Sequence, residues 1–371
     1  LKNKLMLFAA CALSLGLIAG CGSNNNNNAG SSASGSPSAS PSGSAAASPS
    51  ASAGGAAQEI KELKVSFVPS KDPDQIITAT DPLKDLLKKQ LATEGYNVDK
   101  VTIDVGTTYE AVGEALTAGT TDIGFIPGGT YVLYDDGADV ILTATRAGLS
   151  NDSDNPKDWN DNKPTQPTDQ QATYYRALVI AGPSKKGQEL SAKVNNGEQL
   201  TWDDLNGANW AVMSTSSSAG YIYPTLWLQK NFDNKTIPDL SHVVTSDSYG
   251  SSFARLANGQ VDVVVAYADA RRDYEKQWTS DWSRSKSIWD ETNVIGVTQG
   301  IYNDTISVSK KDPLMTDEFK KALQDAFIAI AQTDEGKKVI AVYSHEGYQP
   351  AKSSDYDGER QAQEVIKNAK K

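Results

Sequence analysis

Apolar and polar positions first alternate at Leu63, Val65 and Phe67, and Pro69-Ser70 ends the run. A period of two predicts a half-buried strand. Asp81-Pro82 then reads as a helix start, with Leu83, Leu86, Leu87 and Leu91 on one face and Gly95 at the end. Val101, Ile103 and Val105 return to a period of two. A second helix carries Val112, Ala115 and Leu116 and stops at Gly119. Residues 123–126 form a third, wholly apolar strand, closed by Pro127-Gly128-Gly129. Strand, helix, strand, helix, strand predicts a parallel sheet covered by helices.

Residues 148–171 are polar and rich in Asp, Asn and Pro, which predicts a long surface loop. Residues 178–180 read as a short strand crossing between two lobes. A second αβ pattern follows, with a strand over 210–213, a helix after Gly220 and the apolar run 261–267. Residues 305–308 read as an extended segment that returns to the first lobe. Thr316, followed by Asp317 and Glu318, starts a helix bearing Phe319, Leu323, Phe327 and Ile330. No internal repeat of fixed period is visible.

The first residues read as an address. Lys2 and Lys4 precede an apolar run over about 5–18, too short for a typical membrane span. It ends in Leu17-Ile18-Ala19-Gly20-Cys21, which resembles a bacterial lipoprotein cleavage site. The resemblance implies a signal peptide over 1–20 and a lipidated Cys21; the alternative, ordinary cleavage leaving a free Cys21, is disfavoured because the cysteine sits where such a site needs it. Residues 22–58 are mostly Asn, Gly, Ser, Ala and Pro, a composition that buries too little surface to offset its ordering entropy. With Cys21 they form an expected disordered linker over 21–58.

The chain has 371 residues and a formal net charge of -11. That length accommodates two lobes with cores of their own. The acidity argues against nucleic acid as a partner but not against a small anion held by neutral donors. Cys11 and Cys21 are the only cysteines, so the body has no disulfide or thiolate metal site. His242 and His345 show no ligand spacing, and neither a metal nor a cofactor is expected.

Three features carry candidate chemistry, each at the carboxyl end of an expected strand, where open α/β sheets bind ligands. Gly106-Thr107-Thr108-Tyr109 enters the second helix. Ser214-Thr215-Ser216-Ser217-Ser218-Ala219-Gly220 precedes another helix. Free N–H groups of a helix start, together with hydroxyls on the same turn, can hold an oxyanion without Lys or Arg. A capped, serine-rich turn is an equally good account of the second loop. The third feature is a pair of acids, Asp269 and Asp304. They suit a ligand that also carries an ammonium group or a proton to donate, or else they cap turns. Tyr131, Tyr134, Tyr175 and Tyr249 are candidate ligand-facing aromatics, although packing explains any one of them as well. The Gly-x-Ser-x-Gly elbow of esterases is absent, and neither histidine has a triad context.

With these residues assembled, the chain resembles the periplasmic phosphonate-binding lipoproteins of phosphate/phosphite/phosphonate ABC importers over about 63–350. The marks are the segments 65–70, 108–112, 118–126, 216–224 and 258–263, taken in order and spacing. The resemblance implies a type II periplasmic-binding-protein-like α/β fold, two αβ lobes joined by a two-strand hinge. Lobe 1 is expected over 59–178 and 298–371, and lobe 2 over 179–297. It implies that Tyr109 and Tyr175 touch the ligand and that Ser216, Ser217 and Ser218 receive the phosphonate head; Tyr249 stays a candidate from the residues alone. It puts Asp269 and Asp304 where an aminoalkyl group would be held. It also implies no catalysis, a monomer anchored outside the cytoplasm through Cys21, and an ABC permease and ATPase as partners. In two places the chain departs from the family pattern: Ser248-Tyr249-Gly250 stands where a histidine is frequent, and Ala219 replaces a usual hydroxyl. Phosphite, phosphate and other phosphonates therefore stay open as ligands.

Three other readings compete. The same fold could hold a phosphorylated vitamin precursor or a sulfonate. An exported serine hydrolase lacks a visible general base near the serine turn. A surface sensor or adhesin would have no transporter genes beside it.

Overall fold

The computed structural model describes residues 57–369. The signal peptide, Cys21 and nearly all of the linker lie outside the described residues.

Among the described residues the strands form a seven-stranded, a five-stranded and a two-stranded sheet. The seven-stranded sheet runs in the order Gly347–Pro350, Ala138–Leu149, Thr305–Ser309, Ile123–Ile126, Gln58–Phe67, Tyr96–Val105, with Pro167–Ala172 pairing off Ala138–Leu149. Gln58–Phe67 pairs in parallel with both of its neighbours. The expected all-parallel arrangement stops there. Thr305–Ser309 is antiparallel to Ile123–Ile126 and to Ala138–Leu149, because the chain re-enters this lobe from the other one and runs back through the sheet. The five-stranded sheet has the order Asn293–Val297, Ala177–Ala181, Val263–Tyr267, Trp210–Val212, Val243–Thr245.

The crossing is also corrected. Residues 178–180 belong to Ala177–Ala181, an interior strand paired on both sides within the five-stranded sheet. The two passages between lobes are Tyr174–Tyr175 and Ile301–Tyr302, paired antiparallel as a two-stranded hinge.

The first lobe contains two further helices. Pro73–Thr80 starts where the Asp72 carboxylate accepts from the N–H groups of Asp74 and Gln75, and Asp81 is its C-cap rather than the next helix's N-cap. Leu83–Thr93 follows and buries Leu83, Leu87 and Leu91. Gly128–Tyr134 turns a Pro-Gly-Gly sequence into a short helix against the second lobe. Around these, Phe67 stacks on Phe125 at 4.3 Å in the first lobe's core. A second core under the five-stranded sheet centres on Trp210, Val263 and Val265.

The polar stretch 148–171 is more ordered than a surface loop. Trp159, at the end of a 3-10 turn over Pro156–Trp159, is 2 % exposed. Asn160 donates to Val294 O and accepts from Val294 N at 2.9 and 2.7 Å, so an insert in the first lobe is pinned to an edge strand of the second. The C-terminal helix Asp357–Ala369 likewise packs on helices of both lobes, Gly128–Tyr134 and Tyr223–Asn231.

Candidate functional site

Three helix starts converge between the lobes. Thr108 caps Tyr109–Ala118 by accepting from Ala111 N at 3.0 Å. Ser217 caps the helical segment beginning at Ser218, accepting from Gly220 N at 3.2 Å. Ser248 caps Tyr249–Ala257 by accepting from Ser251 N at 3.2 Å. Tyr109 and Tyr249, the opening residues of two of those helices, and Ala219, the second residue of the third, all line one cavity of about 50 Å³. Helix starts carry N–H groups without intrahelical partners and a partial positive charge, so their convergence favours an anion.

Five tyrosines stand in the polar wall: Tyr109, Tyr175, Tyr249, Tyr267 and Tyr343. Burial pushes all five hydroxyls up, so they stay protonated and can donate. The Ser217 and Tyr249 hydroxyls are hydrogen-bonded at 3.3 Å.

The basic part of the wall escaped the sequence reading. Arg146, near the end of the strand Ala138–Leu149, is 5 % exposed. Its Nη2 donates to Asp304 Oδ2 at 2.9 Å and its Nε to Asn303 Oδ1 at 2.9 Å, while its guanidinium carbon lies 4.4 Å from the centre of the Tyr175 ring. His345 Nε2 sits 3.3 Å from the same Asp304 oxygen. Burial alone would raise the Asp304 carboxyl, but the His345 hydrogen bond and the Arg146 charge hold it below its ordinary value. Burial lowers His345 despite Asp304, which keeps the imidazole neutral near pH 7. Lys71 also lines the cavity and donates to Asp273 Oδ2 at 2.9 Å. The sequence signal was a lone arginine in an apolar strand, since a charge there is rarely buried unless paired.

The other expected site residues are divided. Tyr109, Tyr175, Ser217, Tyr249 and Asp304 line the cavity. Ser216 and Ser218 do not. Thr130 Oγ1 donates to Ser216 O and lies 3.2 Å from Ser216 Oγ, and Gly129 N donates to Ser218 Oγ at 3.0 Å, so these serines join the lobes instead. Asp269 is also outside the cavity. It follows a sharp turn after Tyr267, accepts from Arg272 at 2.8 Å and faces a separate outer cavity. Tyr131 is buried against Tyr356, and Tyr134 packs over Gly113.

The lobes are held together around the cavity. Besides the serine contacts, Tyr249 N donates to Ser70 O at 3.1 Å, and Asp273 accepts from Lys71 and from Ser344 of the opposite lobe. This is a closed arrangement with the cavity at the seam.

No curated protein matches the sequence. Solved structures share the fold at low identity. A binding protein component of an ABC phosphonate transporter from Pseudomonas aeruginosa superposes with a TM-score of 0.60 at 16% identity, covering 84% of this chain and 88% of the other. PhnD1 from Prochlorococcus marinus in complex with methylphosphonate gives 0.56 at 15% identity, covering 83% and 98%. The alkanesulfonate-binding protein SsuA from Xanthomonas axonopodis pv. citri bound to MOPS gives 0.51 at 13%, covering 85% and 95%. A family model described as ABC transporter, phosphonate, periplasmic substrate-binding protein matches residues 65–356. With that match spanning most of the sequence, and both lobes and the hinge in place, the chain belongs to the periplasmic substrate-binding proteins of phosphonate ABC transporters.

Proposed function

We propose that this protein captures a compact phosphorus oxyanion without an amine, of the size of phosphite or methylphosphonate, and presents it to an ABC permease. The observation that carries this reading is the cavity itself: about 50 Å³, faced by three helix starts, tyrosine hydroxyls and Arg146. A buried water needs about 10–15 Å³ on this measure, so the space suits about four water-sized atoms. That matches a tetrahedral oxyanion with at most a small substituent and leaves out a nucleotide or a vitamin phosphate.

The aminoalkyl expectation loses its support. Asp269 lines the adjoining cavity and is paired with Arg272, and Arg146 balances the Asp304 charge. A sulfonate shares the tetrahedral shape but carries less charge than a phosphonate dianion, so the arginine and three helix starts favour phosphorus. Ligand binding would stabilise the closed arrangement through its contacts to both lobes, and the permease would read that form. No covalent step is assigned.

The division into lobe 1 over 59–178 and 298–371 and lobe 2 over 179–297 draws support from the two separate sheets, although its first boundary cuts the strand Ala177–Ala181 and the hinge strands lie at Tyr174–Tyr175 and Ile301–Tyr302. The Leu17–Cys21 sequence motif supports a lipid anchor on Cys21 outside the cytoplasm, and the family supports a permease and ATPase as partners.

Isothermal titration of the body from residue 57 onward tests the ligand class, using phosphite, methylphosphonate, 2-aminoethylphosphonate, phosphate and methanesulfonate. Tight binding of phosphite or methylphosphonate, with 2-aminoethylphosphonate weaker, is expected. A preference for the amine-bearing ligand would overturn the reading.

A further inference from the structure

A second, larger cavity of about 750 Å³ adjoins the first. The two share only two wall residues, Tyr175 and Arg146. On the far side lie Trp159, Thr168, Gln170, Gln171 and Asp269, contributed by the 148–171 insert and the second lobe.

Both wall residues are fixed from behind. Tyr175 sits in the hinge, where its strand pairs with Ile301. The next residue, Arg176, is held by Asp152, by Asp154 at 2.7 Å and by Thr298 O at 2.9 Å. Arg146 is held by Asn303 and Asp304 and lies over the Tyr175 ring. The Tyr175 side chain, by contrast, makes no hydrogen bond among the described residues; it fills space and carries the guanidinium on its face.

We propose that the Tyr175 ring, backed by Arg146, is a partition between the inner and outer cavities and sets the size of organic substituent the protein accepts. This rests on the reading of the inner cavity as a phosphorus-oxyanion site. The oxyanion head occupies the inner cavity, and a substituent longer than a methyl group meets the partition. The outer cavity beyond it is of mixed character, with Leu149 and Trp159 beside Thr168, Thr173, Gln170, Gln171 and Asp269, so it has room and apolar surface for a linear chain once the wall is removed. The partition would thus make an importer of small phosphonates out of a fold whose outer cavity has room for larger ones.

The test is titration of methylphosphonate and n-butylphosphonate into the wild type and into Tyr175→Ala, Tyr175→Leu and Tyr175→Phe. Overfilling the inner cavity should weaken butylphosphonate against methylphosphonate by about 10- to 100-fold in the wild type. Tyr175→Ala should bring the two ligands within a few-fold of each other, Tyr175→Leu should fall between, and Tyr175→Phe should keep the wild-type ratio. Thermal melts report whether each variant folds; if Tyr175→Ala does not, Tyr175→Leu decides. An unchanged ratio in the alanine or leucine variant overturns the partition and leaves the oxyanion site standing. A wild type that binds neither phosphonate overturns both.

Discussion

Lys71 Nζ lies 2.9 Å from Asp273 Oδ2, and the pair ties one lobe to the other at the cavity edge. Burial would raise the Asp273 carboxyl, but the Lys71 charge and hydrogen bonds from Lys71, Tyr267 and Ser344 hold it below its ordinary value. It stays ionised near pH 7 and acts as a latch in the closed form. Asp273 itself does not line the cavity, so its removal tests closure apart from ligand contact. Asp273→Asn should weaken every ligand by a similar factor, about tenfold for a loss near 1.4 kcal/mol, without changing their rank order. Titration of the ligand panel checks this. A change of rank order would make Asp273 a specificity residue instead.

Arg146 is the buried cation of the site, and Asp304 is its partner. Removing one member of a buried pair costs about 3–5 kcal/mol because the other charge is left uncompensated. Arg146→Met should therefore lower the melting temperature by several degrees and abolish measurable anion binding. Arg146→Met combined with Asp304→Asn should recover much of the melting temperature but none of the binding. Recovery of binding in the double variant would show that helix starts and hydroxyls suffice and that the arginine serves only the fold.

The sequence carried the parts of this site that local signals mark. Tyr109, Ser217 and Tyr249 lie at or beside N-caps, where Thr108, Ser217 and Ser248 announce a helix start, and Asp304 directly precedes the alternating strand Thr305–Ser309. Arg146, Lys71 and the neighbouring Tyr343 and His345 come from three separate segments of the chain and meet only through the folding of the first lobe. No periodicity links them. Asp269 failed for the opposite reason: it is two residues from Tyr267, which lines the cavity, but the turn between them sends its carboxylate to Arg272. The hinge was placed three residues too late because a Tyr-Tyr pair gives no strand signal, whereas the apolar run after it does. The short helix Pro73–Thr80 was hidden because Asp81-Pro82, its C-terminus, also resembles a helix start.

His345 makes stability fall on the acid side. Its folded pKa is below the ordinary 6.5 because burial disfavours the imidazolium. Below 6.5 the unfolded chain therefore binds more protons than the native one, and stability is lost as pH falls. Asp304, also lowered, adds a second loss at still lower pH. Urea unfolding between about pH 5 and 7 should show a slope that His345→Gln flattens. An identical slope in the variant would assign the titration to another group.

Glu359 acts on the alkaline side. It is 1 % exposed in the C-terminal helix, and burial pushes its carboxyl up to about 8 from 4.5, with the Ser218 and Tyr223 hydroxyls offsetting only part. The native state holds a proton there that the unfolded chain has already lost above 4.5. Its contribution is complete at low pH and disappears as pH rises through about 8. In that window the group removes about 1.4 kcal/mol per pH unit. Glu359→Gln should be no less stable at pH 6 and clearly more stable at pH 9, measured by urea unfolding. Equal gains at both pH values would place the effect in packing rather than in ionisation.

Gly129 offers the sharpest test of closure, because its Cα faces the other lobe at close range. A Cβ there would lie 2.3 Å from Ile222 Cδ1, 2.9 Å from Ser216 O and 2.9 Å from Ser218 Oγ. The isoleucine tip can turn away, but the Ser216 carbonyl is backbone and can retreat only if the lobes separate. Gly129→Ala should therefore penalise the closed form and leave an open one untouched. Ligand affinity should fall by about 10- to 100-fold, the range expected from overfilling a packed contact. The melting temperature without ligand should stay within a degree or two of the wild type, and small-angle scattering should show a less compact particle at sub-saturating ligand. If affinity is unchanged while the ligand-free protein is destabilised, the Gly129–Ser216 contact belongs to the resting fold and the lobes do not part there when ligand leaves.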